Sequence, residues 1–245
     1  MIVQLLRSEW PKQRRTFTPW LLLIGPGTLA LLAMLAILMR QEARHWPQYL
    51  ASAAQMWSMI WVPFGGALLA GLAVLPETRG GAWRALRTRP VSPAGLYLAK
   101  LAVLIGEGAL ASVLMAALVL AAGALVIGTG EAVRWDMLAA ATLLPFVGAW
   151  PLLATHLWLA TAKGFAPTFT VAVGGFLTAM ALATHPLGLL SPWTYPLRTV
   201  SAVMGGEQGQ MVVWAQVLPM VGLSLAVAMA LAVLGAAWFA RSEVK

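Results

Sequence analysis

The chain contains no cysteine. A disulfide framework, a thiolate zinc site and a cysteine nucleophile are excluded together. Charge is scarce as well: 10% of the 245 residues are charged, against about 25% in an average soluble domain. A Gly-x-x-x-x-Gly-Lys-[Ser/Thr] phosphate cradle is missing, because none of Lys12, Lys100, Lys163 and Lys245 follows a glycine. This polypeptide therefore has no P-loop with which to hydrolyse ATP. Neither His-Glu-x-x-His nor Gly-x-Ser-x-Gly occurs, which removes the common metalloprotease and serine-hydrolase signatures. A lipid-phosphatase pattern ending in Arg89-Pro90 fails because Ala82 stands where lysine is needed. No catalytic, cofactor-binding or metal-binding residue is assigned, and the chain is not expected to be an enzyme.

What is present is apolar. Hydrophobic residues make up 60% of the chain, and the mean hydropathy is +0.81. A soluble globule cannot hide that much surface, and disordered chains lie at the opposite extreme. The runs are long and apolar on all sides, unlike the alternating segments of a membrane β-barrel. The expectation is an all-α polytopic membrane protein, one transmembrane domain over residues 1–245. About 20 apolar residues cross a 30 Å hydrocarbon core. Six segments qualify: Trp20 to Met39, Met56 to Leu75, Leu96 to Ile127, Met137 to Ala160, Phe165 to Thr184 and Val212 to Ala240. Pro145 and Pro151 predict a kink in the fourth. The first run has the length of a span and not of a secretory h-region.

The basic residues orient these spans. Arg7, Lys12, Arg14 and Arg15 precede the first, and Arg79, Arg84, Arg87, Arg89 and Lys100 surround the loop between the second and third. With Lys163, Arg241 and Lys245 they place twelve basic residues on one side, against Arg40, Arg44, Arg134 and Arg198 on the other. Both termini are therefore expected in the cytoplasm. The net charge of +8 is explained without nucleic acid. Residues 1–15 carry Ile2, Val3, Leu5, Leu6 and Trp10 at helical spacing, the pattern of a helix lying in the inner interface or, alternatively, of a frayed basic tail.

The loop Pro76 to Pro93 is the most distinctive stretch. Trp83 and Leu86 share one helix face, Arg84 and Arg87 another, and Pro90 ends the turn. Ser92-Pro93 suits the cap and first position of the next helix. Such a helix either docks a partner through Trp and Arg or rests on lipid headgroups. Here the order Glu-x-x-x-Gly-x-Trp-x-x-Leu-x-x-x-Pro-Val-Ser, followed by Leu98-Ala99-Lys100 and a long apolar helix, resembles the ABC-2-type permeases. It is most similar to the small permeases linked to lantibiotic and bacitracin immunity. The Ser191-Pro192-Trp193-Thr194-Tyr195-Pro196 segment before the last span agrees.

The resemblance implies an ABC-2-type exporter fold in a bacterial cytoplasmic (inner) membrane. It makes residues 77–90 a coupling helix, with Glu77, Trp83, Arg84, Leu86 and Arg87 docking a separate ATP-binding subunit. Two copies of that ATPase would bind ATP and magnesium, and this chain would bind neither. A second permease copy or a related permease would complete the pathway, and residues 187–210 would form short helices on the outer side. The cargo implied is hydrophobic or amphipathic, such as an antimicrobial peptide. The competing class is a non-transporting membrane anchor or sensor that recruits a cytoplasmic partner.

Two intramembrane polar residues stand out. Glu107, in Gly106-Glu107-Gly108, lies two turns beyond Lys100, about 10 Å along the helix and too far to pair with it. It could face the bundle interior as a gating group, lie at the interface of an over-long helix, or touch cargo. His156 is expected to hydrogen-bond a neighbouring helix, and Thr155 and Thr161 to bond their own helix carbonyls. Trp46, Trp57, Trp61, Trp135, Trp150, Trp193 and Trp214 are expected in an aromatic belt near the outer interface. Small-residue spacings at Gly65, Gly66, Gly71, Gly174 and Gly175 permit close packing but define no interface.

Overall fold

The computed structural model describes residues 2–39, 45–78, 92–128, 131–204 and 214–242. Trp83, Arg84, Leu86 and Arg87 lie outside the described residues. Ten α-helices are present among those described: α1 (Ile2–Arg14), α2 (Thr18–Leu38), α3 (Trp46–Met56), α4 (Val62–Thr78), α5 (Pro93–Ile127), α6 (Trp135–Gly148), α7 (Trp150–Lys163), α8 (Phe165–Leu182), α9 (Tyr195–Met204) and α10 (Trp214–Arg241). They supply six segments long and apolar enough to span a membrane: α2, α3 with α4, α5, α6 with α7, α8, and α10. The second and fourth are the most buried and form the centre, while α8 and α10 lie at the periphery.

The second span is longer than its apolar run, beginning at Trp46 and not near Met56. Residues 46–55 include Gln48, Ser52 and Gln55 and so escape a hydropathy reading. They helicise because Trp46, Tyr49, Leu50 and Ala53 bury a continuous face. Between α3 and α4 the helix widens to a π-type turn, Trp57–Trp61. Pro63 has no N–H to give the Met59 carbonyl, and the turn relaxes so that Val62 N–H reaches the Trp57 carbonyl. At the start of the span the Trp46 N–H donates to Glu131 Oε2 at 3.1 Å, a carboxylate meeting a helix N-terminus.

The fourth span breaks where its prolines predict, between Gly148 and Trp150. Pro151 cannot donate to the Val147 carbonyl, and Ser224 Oγ of α10 does so instead at 2.9 Å. On the other side of the break, Gly148 admits α9: a Cβ there would meet Pro196 Cα at 3.1 Å. Ser224→Ala should leave that part-buried carbonyl short of a donor, at a cost of about 1 kcal/mol. The loss is measurable as a lower unfolding midpoint in detergent.

α5 opens as its sequence predicts, with Ser92 Oγ accepting the Gly95 N–H at 3.3 Å and Pro93 in the first turn. The sharp corner from α7 into α8 needs Gly164, whose φ of +85° lies in the left-handed region. Beyond α8 the chain makes two 3-10 turns, Pro186–Leu190 and Pro192–Thr194, and then α9. Tyr195 Oη donates to the Leu189 carbonyl at 2.9 Å, and Arg198 donates to the His185 carbonyl, so this segment is tied to itself before it packs on α6.

The tryptophans depart from a simple belt. Trp135 and Trp214 are exposed, but Trp46, Trp57 and Trp61 are buried inside the bundle. Glycines make room for them. A Cβ on Gly123 would fall 2.4 Å from Trp46, and one on Gly25 would fall 1.9 Å from Trp61. Gly175 faces Trp193 and Gly71 faces Phe165 in the same way. Small residues here receive rings from neighbouring segments, and that is their packing role.

Candidate functional site

α1 lies across one end of the bundle and touches α2, α4 and α5. Its residues Glu9 and Lys12 are one turn apart and so share a face. That face meets the last turns of α4 and the second turn of α5. Lys100 Nζ donates to Glu9 Oε2 at 2.6 Å, to Glu77 Oε1 at 2.9 Å and to the Ala73 carbonyl at 3.1 Å. Lys12 Nζ bonds Glu9 Oε1 and reaches Glu77 Oε1 at 2.9 Å. Two carboxylates and two ammonium groups make a neutral cluster. Glu9, Glu77 and Lys100 are buried, Lys100 being 2% exposed.

The electrostatics follow from this closure. Burial pushes the Glu9 carboxyl up, but the charge and hydrogen bonds of Lys100 and Lys12 outweigh it and hold the group below the usual carboxylate range. Burial pushes Lys12 down, yet the hydrogen bonds it donates to Glu9 and Glu77 raise it above the usual lysine value. The Glu9 contribution to stability is therefore full above the ordinary carboxylate range and is lost as pH falls through its lowered value. That of Lys12 is full below the ordinary lysine range and is lost as pH rises through its raised value.

The position matters more than the chemistry. Glu77 stands at the end of α4 and Lys100 near the start of α5, so the cluster grips both stems of residues 79–91. Through Glu9 and Lys12 it fastens α1 to those stems. Glu77, expected to face a docking partner, has its carboxylate turned inward onto Lys12 and Lys100. Lys12 and Lys100 read in the sequence as orientation charges, and Glu9 carries no assignment there at all. The available signal is scarcity. Of eight acidic residues in the chain, one sits three before Lys12 on an amphipathic helix and another ends an apolar span.

Glu107 is buried, on the face of α5 toward α1 and α2. It lines a cavity of about 490 Å³ together with Trp10, Gln13, Arg14, Thr18, Leu22 and Leu110. Its Oε2 has no hydrogen-bond partner among the described residues. Lys100 is bonded elsewhere, as the helical spacing requires.

His156 is fully buried in α7 but makes no hydrogen bond: neither ring nitrogen has a partner among the described residues. Among the described residues the expected interhelical bond is not made, and the imidazole lies beside Gly66 and Trp193, whose ring centroid is 6.5 Å away. His156 packs as an aromatic ring. Thr155 and Thr161 do bond their own helix, to the Pro151 carbonyl at 2.8 Å and the Leu157 carbonyl at 2.9 Å. His45 lies against Glu131 and His185 accepts the Leu187 N–H, so the three histidines stay in separate places.

Six apolar spans, a crossing helix at one end and a polar cluster at the stems of one loop describe a polytopic membrane protein. The sequence model of the ABC-2 family transporter proteins matches residues 5–184. The chain belongs to that family, as a membrane-spanning permease component of an ABC-2 transporter. The match takes in Glu9, Lys12, Glu77, Lys100, Glu107 and His156 and stops before α9 and α10. A comparison with curated proteins finds no match.

Proposed function

We propose that this chain is the permease subunit of an ATP-driven exporter in a bacterial cytoplasmic membrane. Both termini and residues 77–90 face the cytoplasm, and α1 lies in the inner interface. Two copies of a separate ATP-binding subunit dock on the loop through Trp83, Arg84, Leu86 and Arg87. A second permease, identical or related, completes the pathway, and the cargo is hydrophobic or amphipathic. The branch resemblance points to antimicrobial peptides as that cargo.

The observation that carries this reading is the Glu9–Lys12–Glu77–Lys100 cluster. A loop that only satisfies an orientation rule needs no buried ionic clamp at its stems. A loop that receives a push does, because the push must reach spans two and three and α1 together. Closure of the ATPase dimer would move the loop, the clamp would carry its stems and α1 as one body, and the permease would change between two conformations. Glu77 then contributes as the inner brace of the coupling loop.

The test is charge reversal at the docking face. Arg84→Glu with Arg87→Glu should abolish co-purification of the ATPase and resistance to the cargo together, while the variant inserts and melts like the parent. Unchanged ATPase capture and unchanged export would remove the docking assignment.

A further inference from the structure

The cavity between α1, α2 and α5 has no part in the clamp, yet its walls have a definite chemistry. Leu22, Leu23, Leu110 and Leu114 line it together with Trp10. Leu23 is 52% exposed and Leu110 49%. Both are on the outer flanks of membrane spans, so the groove opens toward the bilayer. An occupant arrives with hydrocarbon first.

Its polar end is equally defined. Glu107 is 3% exposed and has one carboxyl oxygen with no partner among the described residues. A carboxyl group held in an apolar setting calls for a cation or an N–H donor. Arg14 and Gln13 line the same groove, and Gln13 Oε1 already accepts from Thr18 Oγ1 at 3.3 Å. Arg14 ends α1 and presents a guanidinium, the group best shaped for a phosphate. One acidic group, one guanidinium and leucine walls describe the complement of a zwitterionic lipid.

We propose that this groove holds one phospholipid with a primary-ammonium head, drawn from the leaflet on the α1 side. The ammonium donates to Glu107, the phosphate meets Arg14, and an acyl chain lies along the leucines. A choline head has the positive charge but no N–H to give, and a glycerol head has no cation. The bound lipid braces α1 against α2 and α5, on the helix that Glu9 and Lys12 fasten to the loop stems.

The test is lipid retention. The full-length protein is reconstituted in vesicles of phosphatidylethanolamine with phosphatidylglycerol, or of phosphatidylcholine with phosphatidylglycerol, then released gently and weighed by native mass spectrometry. The parent should keep one phosphatidylethanolamine in preference to either other lipid. Glu107→Gln should weaken that retention by about tenfold, the scale of a charge-assisted hydrogen bond. Leu110→Trp, which fills the groove from an exposed position and leaves Glu107 in place, should lose the lipid as well. Retention of phosphatidylcholine as well as phosphatidylethanolamine by the parent would overturn the proposal. So would undiminished retention in a folded Glu107→Gln protein. If Glu107→Gln does not fold, Leu110→Trp decides, and undiminished retention there overturns it.

Discussion

Lys100→Met is expected to be among the most damaging single substitutions in the chain. Methionine nearly matches the length of lysine and suits a buried helix position, so packing changes little. What is lost is the ammonium group that bonds Glu9 and Glu77 at once. Among the described residues the two buried carboxylates then share only Lys12, whose side chain is half-buried. Removing one partner of a buried ion pair costs about 3–5 kcal/mol because the remaining charge is stranded. Domains are commonly stable by about 5–15 kcal/mol in total. The variant should therefore extract as aggregate, or melt far below the parent when tryptophan fluorescence is followed in detergent. Adding Glu9→Gln and Glu77→Gln should recover much of the loss, since no buried charge then remains and Lys12, which is partly exposed, can turn to water. A Lys100→Met protein as stable as the parent would mean that the clamp is not closed as described.

Gly25→Val should be among the most harmful changes at a glycine. Trp61 rises from the π-type turn, stacks on Trp57 with ring centroids 5.6 Å apart, and lays its ring over Gly25 of α2 and Gly65 of α4. A Cβ at Gly25 would stand 1.9 Å from Trp61 Cζ3, and one at Gly65 would stand 2.7 Å from Cδ2. The ring thus lies against the backbones of both spans, and a side chain at Gly25 must displace it. Overpacking of this kind costs about 1–3 kcal/mol or more. Trp61→Leu alone should also destabilise, by leaving a cavity. The double variant should be better than the two losses added, because valine occupies space that the smaller leucine vacates. Additive losses in such a cycle would show that the ring does not press on Gly25.

These expectations depend on features that a single sequence expresses unequally. The spans are legible because hydropathy over about 20 residues is a strong signal, and Ser92-Pro93 and Pro151 announce a helix start and a break through local stereochemistry. Periodicity reports which face of a helix is apolar, but not what lies opposite. Glu9 and Lys100 are 91 residues apart, and nothing local links them. Each therefore reads as an isolated charge, and Lys100 merges with the orientation charges around it. The glycine sockets are hidden for the same reason. A glycine spaced for close packing looks alike whether it meets another backbone or a tryptophan ring. Glu107 is recognisable as costly, but its depth and its groove depend on where α1 crosses α5. The first part of the second span escapes because burial by neighbours lets a helix carry Gln48 and Ser52 without a continuous apolar run.

The most direct test of the account is a purification. The tagged chain is extracted from its native membranes in mild detergent, and every co-purifying protein is identified by mass spectrometry. The account predicts a P-loop ATPase in stoichiometric amount, lost when Arg84 and Arg87 are reversed to glutamate. Recovery of the folded chain without any such ATPase, while other ATPases survive in the same extract, would contradict it.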